Sequence, residues 1–95
     1  MVITILEAHV AAENWSILQD DYKQRSVQLP PQMIQTFLLQ DTVDQTLWQI
    51  ISIWKSREAL EEMRNSGETP GGVLMFRNVG AEPKLSILNV LASAQ

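Results

Sequence analysis

Apolar residues along this chain repeat at every second position in some stretches and at every third or fourth in others. Residues 2–10, VITILEAHV, have the first period and many β-branched side chains, which predicts a strand. Val2, Thr4, Leu6, Ala8 and Val10 fall on one side; Ile3, Ile5, Glu7 and His9 fall on the other. From Asn14 the period lengthens. Trp15, Leu18 and Tyr22 stand at i, i+3 and i+7, which predicts a helix over 14–26 with Asn14 as its cap. The prolines of LPP discourage helix beyond Ser26. A second strand is expected over 32–40, QMIQTFLLQ, then a polar turn, DTVDQT, and a third strand over 46–54, TLWQIISIW. Ser56 suits the cap of a second helix over 56–66, with Glu58 in its first turn and Ala59, Leu60 and Met63 as its buried stripe. Gly67 suits the end of that helix. In 68–83, Thr69 and Pro70 read as a cap and first helical position, and VLMFRNV as a short helix weakened by Gly71 and Gly72. The last strand is KLSILNVL, 84–91.

The order β-α-β-β-α-β, with an added helical piece, predicts one α+β domain over residues 1–95. This is the ferredoxin-like split β-α-β arrangement: a four-stranded antiparallel sheet with its helices on one face. The third strand poses a problem. Trp48, Ile50, Ser52 and Trp54 point one way, and Leu47, Gln49, Ile51 and Ile53 the other, so neither face is polar. Strict alternation gives the second strand the same character, with Met33 and Phe37 on one side and Ile34 and Leu38 on the other. Helices on one face leave the other in water. A two-fold homodimer through that sheet face is the expected solution.

Composition removes several function classes. No cysteine is present, which excludes thiolate metal sites and disulfides and makes a reducing cytoplasm the expected setting. A net charge of −4 without a Lys/Arg cluster gives no footprint for nucleic acid. No apolar run approaches the roughly 20 residues of a membrane span, and the opening VITIL reads as a strand rather than a signal peptide. One histidine and scattered carboxylates form no metal constellation, and GETPGG lacks the lysine of a phosphate loop. No metal and no cofactor is therefore expected.

The segment LWQIISIWKSREALEEM, an apolar strand ending in Trp, a polar turn and a helix opening with EAL, resembles the central motif of the antibiotic biosynthesis monooxygenase-like family. The resemblance implies a dimeric α+β barrel with the substrate held between sheet and helices. It implies either of two activities: cofactor-independent oxygenation of quinol-like aromatics, or haem degradation. Trp54 matches the strand-end Trp. Met63 stands where the family often carries His after EAL, and the first strand lacks the Asn of the haem degraders, as residues 68–79 lack their His. The haem reading is accordingly the poorer one.

The expected function is that of a cofactor-independent monooxygenase-like protein acting on a small aromatic or quinol. The alternative is a non-catalytic dimeric ligand-binding or accessory module of the same fold. Glu7, His9 and Trp54 are the candidate catalytic residues, with Glu7 or His9 as base. Glu7 is equally a partner for a cation across the dimer. Tyr22, Trp48, Met63, Phe76 and Arg77 are the candidate pocket residues, Arg77 to hold an anionic group.

Overall fold

The structure, a computed structural model, describes residues 1–95. Strands β1 (Val2–His9), β2 (Met33–Gln40), β3 (Leu47–Trp54) and β4 (Lys84–Asn89) form one antiparallel sheet in the order β2-β3-β1-β4. Helices α1 (Trp15–Arg25), α2 (Arg57–Arg64) and α3 (Gly71–Asn78) connect them. The predicted ferredoxin-like order is thus observed, with the short extra helix where the sequence places it. The central strands are β1 and β3, the two richest in β-branched apolar residues, which fill a site flanked on both edges.

All three helices cover one face. Leu18 of α1, Leu60 of α2 and Met75 and Phe76 of α3 are buried against inward residues of β1 and β3. The register Thr4↔Ser52 and Leu6↔Ile50 places Val2, Thr4, Leu6 and Ala8 on that inner face with Trp48, Ile50, Ser52 and Trp54. The core divides in two. A larger cluster gathers around Trp48 and Phe76, and a smaller one joins Val2, Trp54 and Leu60. Each fully buried side chain of this kind contributes about 1.5–3 kcal/mol.

Three local expectations need correction. A β-bulge between Met33 and Gln35 makes Ile34 the extra residue of β2. Met33 therefore shares the inner face with Thr36 and Leu38, while Phe37 turns outward opposite Ile51. Asn14 does not cap α1; a 3₁₀ turn over Ala12–Asn14 leads into the helix, and the Asn14 amide instead donates to the Val79 carbonyl at 3.4 Å. Helix α3 begins one residue late. Pro70 holds the cap position in extended conformation, and no side chain caps the first turn. Ser56 does cap α2, accepting from the Ala59 N–H at 3.0 Å, and Gly67 turns the chain after it at φ +83°.

Gly72 lies where α3 meets the sheet: a Cβ there would stand 2.6 Å from Cδ1 of Leu6, so a larger residue requires that side-chain end to move. No helix is long and apolar enough to cross a membrane.

Candidate functional site

The two core clusters do not meet. Between them, where the ends of α1 and α2 and the start of α3 lie over the sheet, is a cavity of ≈ 190 Å³. Its floor is the inner sheet face: Leu6 and Ile50 from one cluster, Trp54 from the other, with Leu85 and Ile87 of β4. Its walls are Tyr22 and Arg25 of α1, Leu60, Met63 and Arg64 of α2, and the run Pro70–Val73 opening α3. The loop residues Leu29 and Pro30 close one side. The lining is mostly apolar. A closed apolar cavity of about 150 Å³ takes up benzene, so this space suits one substituted ring. It is smaller than the roughly 300–1,000 Å³ typical of drug-sized ligands.

Three hydroxyls interrupt the apolar floor. Cross-strand register sets Thr4, Ser52 and Thr36 at one level over β1, β3 and β2, and all three line the cavity. The Trp54 indole N–H donates to Thr4 Oγ1 at 2.9 Å, fixing the ring on the floor. Ser52 Oγ and Thr36 Oγ1 are 3.4 Å apart. Because Thr4 Oγ1 accepts from Trp54, its own O–H is left to donate to a ligand. A row of hydroxyls beside a large aromatic ring can orient a phenolic oxygen against the floor.

Of the residues singled out from sequence, Trp54, Tyr22 and Met63 are brought together at the cavity. The others are not. Glu7 and His9 lie on the outer sheet face, because β1 alternates and its even-numbered residues hold the inner one. The Glu7 carboxylate accepts from the Gln49 amide at 2.9 Å across the β1–β3 pair. His9 is largely exposed at the sheet end, with Nδ1 3.0 Å from Thr46 Oγ1 and 3.6 Å from Asp44. The hydrogen bonds from Thr46 hold the Asp44 carboxyl below its ordinary range. Trp48 and Phe76 are core residues away from the cavity. Trp48 stacks at 6.0 Å and 54° on Trp15, and its buried indole N–H has no partner, for which the fold offers no account. Arg77 points to the surface and forms a two-pronged pair with Glu82 at 2.9 and 3.1 Å. That hydrogen bonding raises the Arg77 pKa and lowers that of Glu82.

Arg25, Arg64, Thr4, Ser52 and Thr36 are cavity residues that the sequence did not mark out. The signal for the hydroxyls was present: Ser52 and Thr4 fall on the inward side of otherwise apolar strands. Recognising that they share a level requires the strand pairing.

The sheet order and helix placement make this a ferredoxin-like α+β domain. Comparison with solved structures finds the same fold in other proteins. An antibiotic biosynthesis monooxygenase superposes with a TM-score of 0.71 at 15% identity, covering 97% of this chain and 100% of that one. The haem degrader MhuD of Mycobacterium tuberculosis, solved with two haems in its active site, gives 0.74 at 19% identity with 100% of both chains covered. SnoaB of Streptomyces nogalater, a cofactor-independent oxygenase, gives 0.72 at 10% identity, covering 97% of this chain and 94% of that one. No protein-family model and no curated protein matches the chain by sequence. The shared property is the fold.

Proposed function

We propose that this protein is monooxygenase-like and binds a small aromatic of the phenol or quinol type in the cavity against Trp54. The observation that carries the reading is the cavity itself: a ring-sized apolar space of ≈ 190 Å³, floored by Trp54 and edged by three aligned hydroxyls. It lies between sheet and helices of a fold shared with a cofactor-independent oxygenase. The chemistry such a site allows is set by the substrate. A phenolate gives an electron to dioxygen, and the resulting pair recombines to form a C–O bond at the open ring carbon. Loss of water then leaves a quinone, so that one oxygen atom enters the product and the other leaves as water. The protein contributes orientation by the hydroxyl row, exclusion of bulk water and a fixed polar environment for the oxyanion. A haem-sized macrocycle exceeds this cavity.

One observation favours the alternative of a non-catalytic ligand-binding module. No carboxylate and no imidazole lines the cavity, so no ordinary side-chain base is at hand. Dioxygen uptake separates the two readings. The oxygenase reading expects consumption with at least one member of a broad panel of phenols and quinols, and its loss in Trp54→Phe, which keeps most of the packing. Saturable binding with no uptake by any member would establish the binding module instead.

A second copy of the chain is the proposed partner of the outer sheet face. Ile3, Ile5, Ile51 and Ile53 form its middle, with Phe37, Leu39 and Leu88 left 41%, 39% and 49% exposed. The accessible surface, 6258 Å², exceeds the roughly 5,500 Å² expected of a compact monomer of this mass. Packing the two sheets face to face covers these side chains.

A further inference from the structure

We propose that the molecule bound in the cavity is an apolar anion, an aromatic carboxylate or phenolate, and that Arg25 and Arg64 select it. This rests on the cavity being the ligand site and adds the charge of what occupies it. The chain carries 11 acidic residues against 7 Lys and Arg, yet the cavity lining contains two arginines and no Asp, Glu or His. The charged residues of the lining are thus opposite in sign to the whole molecule, with Asp21 and Glu61 paired to the two arginines outside it.

Both arginines are the last residues of their helices, where a cation is favoured by the helix dipole. That preference explains a basic residue at each position. It does not explain why both form the wall of one apolar cavity. Their acidic neighbours, Asp21 and Glu61, do not line it. Arg25 meets Asp21 through Nε at 2.8 Å, and its Nη1 lies on the side of Gly71. Arg64 stands 3.6 Å from Glu61, beyond hydrogen-bond length, and its N–H groups remain free. Side chains 38% and 43% exposed on one side and lining an apolar space on the other hold a charged end at the cavity mouth while a ring enters, and the hydroxyl row on the floor meets a second oxygen at the far end of that ring. A cationic ligand would meet two guanidinium groups in the lining and no carboxylate there. A neutral one would leave their donors without use.

The same arrangement bears on the missing base. Opposite charge within about 4–6 Å favours the ionised form of an acid. A phenol whose hydroxyl stays at the mouth beside the two arginines has its pKa lowered, which favours the anion that dioxygen chemistry requires.

The test is calorimetric titration of the whole protein with cinnamate and with cinnamamide, which share shape and differ in charge. Cinnamate is expected to bind about tenfold tighter or more, with the advantage shrinking as salt is added. In the double variant Arg25→Gln with Arg64→Gln the two ligands should bind alike, at the affinity of the amide for the native protein. Equal binding of both by the native protein, or an advantage for cinnamate that survives in the double variant, overturns the proposal and leaves the cavity reading standing. Binding of neither overturns both. Circular dichroism of the variant confirms the fold for the comparison.

Discussion

The contact between Trp54 and Thr4 shows how much one residue can carry here. The Thr4 hydroxyl is the partner of a buried indole N–H, and both side chains lie on the cavity floor. Thr4→Val keeps the shape and removes the acceptor. It should destabilise the chain by about 1–3 kcal/mol, the usual penalty for an orphaned buried donor, measured as a shift in the urea midpoint. Ser52→Ala, which breaks only the long 3.4 Å contact to Thr36, should change stability less than Thr4→Val does. Trp54 was legible in the sequence because a Trp closing an apolar strand is conspicuous. Thr4 and Ser52 were not, since short hydroxyl residues are ordinary in strands and gain meaning only once the register aligns them. Glu7 shows the opposite case. A carboxylate among apolar neighbours suggested a pocket, but the Gln49 amide opposite it gives a sufficient structural account.

Among the elements, β2 and α3 are where pattern and structure part. Strict alternation in QMIQTFLLQ assigns Met33 and Phe37 to one face; the bulge at Ile34 moves one of them to the other side. A bulge is an inserted residue, and periodicity has no means of showing which residue is inserted. Helix α3 was legible from VLMFRNV, but the close approach of Gly72 to the sheet was not. Gly72 looks like a weakness in a helix until the 2.6 Å between a Cβ there and Leu6 Cδ1 is seen. Gly72→Ala should displace the Cδ1 end of Leu6, which lines the cavity, and weaken binding of aromatic ligands with little loss of stability, read by calorimetry and thermal melting together. Strand β3 followed its pattern without exception. Ile50 is 3% exposed on the inner face, whereas Ile51 faces outward. Ile50→Asp should therefore unfold the chain. Ile51→Asp should leave the inner core intact and act only on whatever covers the outer face.

For the whole molecule, the two-faced sheet is the organising fact. Its inner face is shared between a packed core and a cavity, and its outer face is apolar through the centre. With 14 of 95 residues buried, the isolated chain has a small core for its length, and a second copy would enlarge it. Sedimentation should find a dimer of the 10.8 kDa chain at micromolar concentration and a folded monomer for the Ile51→Asp variant. The ferredoxin-like order was legible because strong β and helical periods alternate along the chain. The cavity was not, because it arises where three helix ends fail to fill the space above the sheet, and no single segment records that gap.

The central claim is that this gap receives a small aromatic ring, and the three tryptophans provide an internal test. Trp54 lies on the cavity floor, while Trp15 and Trp48 belong to the other core cluster. The measurement is a proton–nitrogen correlation spectrum of the indole N–H groups, assigned by Trp→Phe variants, during titration with a small phenol or quinol. The account predicts a saturable shift of the Trp54 signal with those of Trp15 and Trp48 nearly still. A Trp54 signal that does not move, or moves only as far as the other two, would contradict it.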